Sequence, residues 1–281
     1  MLFPLASVRF FSMRLALLFL SFAPALLQAQ TPPDLERERA DFSSWMASAL
    51  NSPLATRAVV PVGAGVRIGP ENSDVPFPGV DARVTEQRGT LTLRIAGSDR
   101  TLPRYRPVTS GELTVMALGE PGRTLLVVYG GSRRSKTLFY YPYNNAAVYV
   151  GAIQPTAHTA VRVLTLEGME VEATEAGTVS VPDGAGSIRL RVYRIPEAGT
   201  EESELMIFFR DGTSDKGSYP AGRFVTLLPL PDGRYRLDLN RARNPFCAYN
   251  SVYPCPAPWP GNTFATAIEA GERYQRSTGQ E

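Results

Sequence analysis

The chain has 281 residues, 43% of them hydrophobic, which is enough to bury roughly three quarters of its unfolded surface in one or two domains. Proline and glycine, 24 of each and evenly scattered, argue for many turns and short strands and against long helices. A formal charge of +2 without a basic tract excludes an electrostatic footprint for nucleic acid, and one histidine with two cysteines excludes a His-rich metal site.

Residues 1–29 read as a signal peptide. Arg14 precedes an apolar run from Leu15 to Leu27, and Ala29 supplies a small residue for cleavage. The alternative is a membrane anchor, but the run is shorter than the roughly 20 residues that a spanning helix needs, and it contains Pro24. Met13 is an alternative start. No cysteine follows for lipid attachment and no paired arginines mark a twin-arginine signal. The expectation is an exported chain, periplasmic or secreted, with no transmembrane segment after cleavage. Removing Arg9 and Arg14 leaves that chain formally neutral.

Residues 30–56 are expected to hold one amphipathic helix, over 31–52. Pro32 and Pro33 suit its first turn, Asp34 and Glu36 its positive end, and Asn51-Ser52-Pro53 its stop. Leu35, Phe42, Trp45, Met46, Ala49 and Leu50 recur at helical spacing. From residue 57 onward the pattern is β. Leu91, Leu93 and Ile95 alternate with polar residues, as do Ile188, Leu190 and Val192, between turns such as Pro182-Asp183-Gly184 and Pro231-Asp232-Gly233. The fold class is therefore mainly β, an antiparallel barrel or sandwich with one N-terminal helix. A polar, proline-containing stretch near 98–110 marks a boundary between a β subdomain at 57–110 and a β domain at 111–281.

The segment Gly65-Val66-Arg67-Ile68-Gly69, followed by Asn72-Ser73-Asp74 and Leu91-Thr92-Leu93, resembles the opening of a forkhead-associated domain, a β-sandwich that reads phosphothreonine. Pro70 stands where that family carries its arginine, and Ala82-Arg83-Val84-Thr85 lacks the Ser and His of the second motif. The resemblance thus implies shared topology without the phosphate contacts.

Residues 207–272 concentrate the polar residues beside apolar strands. The best hairpin is 223–240, turning at Pro231-Asp232-Gly233. Val225, Leu227, Leu237 and Leu239 share a core face, and Asp238 and Asn240 lie on the other. That second face either lines a cavity, is simply wet, or holds the loop after 240 through side-chain to backbone bonds. Cys247 and Cys255 read as a disulfide in an exported chain. A metal pair lacks further ligands, and a redox pair is ordinarily closer in sequence. His158 is the only histidine, so a Ser-His-Asp triad could draw on no other. Motifs for nucleotide, zinc or nucleophile-elbow chemistry are absent, and no cofactor is expected.

The same stretch resembles the C-terminal signature of the domain of unknown function 1684 family. Phe209, Asp211, Thr213, Ser214, Tyr219, Gly222, Arg223, Phe224, Asp238, Asn240, Asn244, Pro245, Cys247, Ala248, Cys255, Pro256, Ala270, Gly271 and Glu272 match it. Asp215 replaces a glycine, and Leu239 and Tyr249 replace phenylalanines. The resemblance implies a mainly β fold and carries no activity with it. The residues suggest a non-catalytic small-ligand binding or structural module with a pocket between the 211–223 loop and the 238–272 segment. Arg223 would clamp an anionic group, Asn240 and Asn244 would orient it, and Asp211, Asp238, Glu269 and Glu272 would complete the wall. The alternative is a hydrolase using carboxylates such as Asp238 and Glu269.

Overall fold

A computed structural model describes residues 30–131, 133–157, 159–197, 200 and 202–275. Residues 1–29, read above as a signal peptide, and His158 lie outside them. The helix α1 spans Pro33–Ser48, shorter than the periodicity suggested, with a proline in its first turn and Asp34 and Glu36 at its positive end. Two side chains close its C-terminal carbonyls: the guanidinium of Arg133 donates to those of Met46, Ser48 and Ala49, and the Ser52 hydroxyl donates to that of Met46 at 2.9 Å. Leu35 and Met46 are buried, but Leu50, expected on the same face, lies beyond the helix and is exposed.

Nine strands follow: β1 (Thr56–Pro61), β2 (Val66–Gly69), β3 (Val75–Pro76), β4 (Ala82–Gln87), β5 (Thr90–Ile95), β6 (Ser98–Thr101), β7 (Val108–Ser110), β8 (Leu113–Leu118) and β9 (Leu125–Tyr129). They form two sheets, in the orders β1-β9-β8-β7 and β3-β2-β4-β5-β6, packed on a common core that includes Ile68, Val84, Leu93, Val115, Leu126 and Val128. Alternation does the sorting. In β5, Leu91 and Leu93 face inward while Thr90 and Arg94 are exposed. The loop from β6 is fixed by Arg104, which donates to Glu86 at 2.6 Å, to Thr124 Oγ1 at 2.6 Å and to the Gly119 carbonyl at 2.9 Å.

This sandwich corrects two expectations. Strands β8 and β9 pair with β7 and β1, so the first unit runs to Tyr129 and not to 110; sheet pairing overrides the compositional break. The forkhead-associated resemblance is not borne out. Residues 57–110 do not make a sheet system of their own, because β1 and β7 belong to a sheet whose middle strands are β8 and β9.

The second unit is one seven-stranded antiparallel sheet. Its strands are β10 (Val148–Gly151), β11 (Ala160–Leu164), β12 (Glu170–Asp183), β13 (Gly186–Pro196), β14 (Ser203–Phe209), β15 (Arg223–Pro229) and β16 (Tyr235–Asp238), in the order β10-β16-β15-β14-β13-β12-β11. A bulge at Glu175/Gly177 bends β12, and the sheet curls until Gln154, just past β10, bridges Thr178. The three sheets are sandwich-like rather than a closed barrel. The predicted hairpin register holds at its centre, with Leu227 opposite Leu237 and the Leu230 N–H on the Arg234 carbonyl. It ends early because Leu239 enters a 3-10 turn.

The concave face of this sheet buries Leu190, Val192, Ile207, Phe209, Val225, Leu227 and Leu237. The chain after residue 262 runs across that face without regular structure and contributes Phe264, Ile268 and Ala270 to the same core. Asn262 starts it. Its amide donates to the carbonyls of Arg191 and Phe208, and its carbonyl accepts from the Arg191 N–H at 2.7 Å. Gly271 then turns it at φ 76°; a Cβ there would lie 2.7 Å from the Leu239 carbonyl oxygen and 2.8 Å from that of Ala242. Replacing Gly271 with Ala is therefore expected to cost on the order of 2–3 kcal/mol in urea unfolding. A midpoint equal to wild type would show that this turn is not tight.

Candidate functional site

The polar residues of the signature converge, but inward. Arg223 opens β15 and points through the end of the sheet, fully buried. One of its terminal nitrogens donates to Asp211 Oδ2 at 2.8 Å and to the Ile268 carbonyl at 2.9 Å. The other donates to the Ala270 carbonyl and, at 3.2 Å, to the Glu272 carbonyl. The guanidinium lies against the rings of Phe209 and Tyr141. The second oxygen of Asp211 accepts from the Thr213 N–H at 2.7 Å, the Thr213 hydroxyl at 2.6 Å and the Ile268 N–H at 3.1 Å. Carbonyls 268, 270 and 272 have no ladder to join, and Arg223 satisfies all three.

Asp238 and Asn240 hold the turn that follows β16. Asp238 Oδ1 accepts from the backbone and side-chain nitrogens of Asn240 at 3.1 and 2.9 Å, and its other oxygen accepts from Arg236 at 2.9 Å. Asn240 in turn clamps Asn144, donating to its carbonyl and accepting from its N–H, each at 2.9 Å. Asn244 donates its N–H to Glu272 Oε2 at 3.0 Å and its amide to the Arg273 carbonyl at 3.1 Å. The carboxyl of Glu272 also receives the Tyr249 hydroxyl, 2.7 and 2.6 Å from its two oxygens. Burial pushes the Glu272 carboxyl up to about 7, against the pull of these donors.

Six of the seven expected ligand-binding residues, Asp211, Arg223, Asp238, Asn240, Asn244 and Glu272, are thus buried and bound to protein groups. Glu269 is exposed. The expected pocket between the 211–223 loop and the 238–272 segment is filled by this network. Of the two carboxylates suggested for acid–base work, Asp238 is buried against Arg236 and Asn240 while Glu269 is exposed. Among the described residues no group of three His, Cys, Asp or Glu is placed to hold a metal ion. Cys247 and Cys255 are joined as a disulfide with their Cα atoms 5.5 Å apart. Asp215, which replaces the signature glycine, takes φ 66°, the left-handed conformation that explains a glycine there and that Asp reaches more readily than most residues.

The open space lies elsewhere. A groove of about 600 Å³ runs between the two units. One wall comes from the first sandwich, with Tyr105, Met116, Leu118 and Tyr129. The other is the convex face of the seven-stranded sheet, with Ile195, Met206, Phe224 and Leu228. Trp45 of α1 borders it, and the turn Thr165–Met169 lies at its base. Glu167 is the notable group there. Burial pushes its carboxyl up, Glu204 across the groove adds to the effect, and the Thr165 hydroxyl works against it. Tyr253, also lining the groove, shares a 2.7 Å hydrogen bond with Thr56. At the mouth, Arg241 and Arg243 are engaged by Glu38. Sequence reasoning missed this groove. Its residues come from strands far apart in the chain and carry no common motif. A Thr-Leu-Glu-Gly turn at 165–168 looks like any other loop.

Comparison with known families fits the buried network. The model of a protein family of unknown function, DUF1684, matches residues 134–273. The chain belongs to this family. The match begins where the first sandwich ends and covers the seven-stranded sheet with its tail segment. The solution structure of an uncharacterised protein from Haloarcula marismortui is 31% identical, covering 49% of this chain and 76% of that one, with a TM-score of 0.42. No curated protein matches the chain.

Two outcomes follow for the DUF1684 signature. Replacing Arg223 with Met would leave Asp211 buried without its partner and three carbonyls unpaired, and is expected to remove about 3–5 kcal/mol of stability in urea titration; a loss below about 1 kcal/mol would contradict this geometry. Glu272 sets a pH dependence. Its folded value, near 7, exceeds the 4.5 of an ordinary glutamate, so the folded chain holds the proton more tightly. That contribution is complete below about pH 4.5 and disappears as pH rises to 7, a change of roughly 3 kcal/mol. Glu272→Gln keeps the neutral form and should flatten that part of the stability profile. Equal profiles for variant and wild type would show that Glu272 titrates normally.

Proposed function

We propose that this protein is an exported, non-catalytic binding module whose ligand occupies the groove between the two units. The observation that carries this reading is the groove itself. Its volume lies within the roughly 300–1,000 Å³ of small-molecule sites, and its lining has the expected character, mostly apolar with a few convergent polar groups. Met116, Leu118, Ile195, Met206, Phe224 and Leu228 favour an apolar body. Glu167, with Thr165 and Tyr253 nearby, favours a hydrogen-bond donor, an amine or hydroxyl, at the base.

The anionic ligand suggested by Arg223 finds less support, because that guanidinium is fully buried and both of its terminal nitrogens are engaged by protein oxygens. The arginines at the groove mouth are likewise held by Glu38. Among the described residues no helix is long and apolar enough to cross a membrane, and the disulfide suits an oxidising compartment. The disulfide supports export.

The test is a calorimetric and fluorescence screen with small alkyl amines, alkyl alcohols and matched carboxylates, reading Trp45 at the groove edge. Amines or alcohols should bind more tightly than carboxylates of equal chain length. Met206→Trp, which fills the groove, should weaken them at least tenfold while circular dichroism stays native. Equal binding by the filled variant, or tighter binding of carboxylates, would overturn the reading.

A further inference from the structure

The outer face of the sheet β3-β2-β4-β5-β6 carries a row of like charges in register. Arg67 of β2 lies directly opposite Arg83 of β4, and Arg83 directly opposite Arg94 of β5. All three are exposed. With strands about 4.8 Å apart, the row is about 10 Å long. Like charges directly opposite one another oppose folding. Some exposed strand arginines of this chain are offset by acids, while Arg100 on β6 has no ion pair among the described residues. Arg162 reaches Glu170 at 3.3 Å and Arg191 reaches Glu175 at 3.8 Å. At the end of the row, Arg94 is gripped by Asp99 through bonds of 2.6 and 2.8 Å. The guanidinium groups of Arg67 and Arg83 have no ion-pair or hydrogen-bonding partner among the described residues; Asp74 engages only the backbone N–H of Arg67. Gly65, at φ 121°, keeps room for the row: a Cβ there would lie 3.4 Å from the Arg83 guanidinium and 3.2 Å from the Thr85 methyl.

We propose that this face is a docking strip for a short, linear acidic oligosaccharide, whose carboxylate or sulfate groups lie along Arg67 and Arg83. Two adjacent, unpaired guanidinium groups can each take a planar or tetrahedral anion through two hydrogen bonds. The flanking outward residues, Thr85 and Thr92, offer hydroxyls to a sugar. They offer neither an aromatic ring on which a base would stack nor an apolar side chain to enter a bilayer. Asp74 and Asp99 at the margins oppose a broad anionic surface and leave a narrow track. The strip belongs to the first sandwich and is independent of the groove.

Titration calorimetry of the exported full-length chain decides it, with tetragalacturonate and a heparin tetrasaccharide as probes, and duplex DNA and phosphatidylglycerol vesicles as controls. At least one oligosaccharide should bind, and Arg67→Gln with Arg83→Gln should weaken it tenfold or more and flatten its salt dependence. Without ligand, Arg83→Gln alone should raise the thermal midpoint, because it removes the opposed charges; a merely structural arginine would lower it. Failure of both oligosaccharides to bind, undiminished binding by the double variant, an unraised midpoint, or equally tight binding of DNA or vesicles would each overturn the proposal.

Discussion

One buried guanidinium governs the C-terminal unit. A curled sheet has a concave apolar face that must be covered, and here the cover is a strand-free stretch of chain. Such a stretch brings backbone carbonyls into a dry core with no ladder to receive them, and an unpaired buried carbonyl costs about as much as a lost hydrogen bond. Arg223 resolves this by fanning its donors over carbonyls 268, 270 and 272, while Asp211 balances its charge and takes the Ile268 N–H. The neighbouring residues serve the same end. Glu272 takes the Asn244 N–H, Asn262 ties the start of the stretch to β13 and β14, and Asp183 accepts from the N–H groups of Ala265 and Thr266. Among the residues that match the DUF1684 signature in this chain, Asp211, Arg223, Asn244 and Glu272 make an irregular segment behave like a strand.

The helix is attached to the same region. Arg39 donates to the Asn240 carbonyl, and Arg241 and Arg243 reach back to Asp34 and Glu38. Phe42 and Trp45 pack beside Phe246 and Tyr249. Asn250 extends the tie to the first sandwich by donating to the carbonyls of Pro53 and Thr56. The loop that carries the disulfide is therefore the hub where helix, sandwich and sheet meet. The groove above it is bounded by surfaces that are each already packed on their far side.

Much of the fold was legible in the sequence, because period-two alternation and Pro/Gly turns report directly on half-buried strands. Leu91 and Leu93, Leu190 and Val192, and the 223–240 hairpin face as their spacing implies. The division at 110 failed because strand pairing between distant segments leaves no local trace: nothing in Leu125–Tyr129 announces Thr56–Pro61 as its partner. The convergence of Asp211, Arg223, Asp238, Asn240, Asn244 and Glu272 was also legible, but their purpose was not. A polar residue flanked by apolar ones can face a ligand or bury itself against backbone, and the two look alike until the path of the tail is known. Glu269, one residue from Ile268 and Ala270 that do face the core, shows how sharply that path sorts neighbours.

The tail segment is part of the cooperative core and not a loosely attached arm. Amide hydrogen exchange tests this most directly. If Arg223 fixes the segment, the Ile268 and Glu272 amides exchange only with global unfolding, as slowly as those of Ile207 and Val225 in the sheet centre. Exchange of Ile268 and Glu272 through local opening, orders of magnitude faster than that of the central strands, would contradict it.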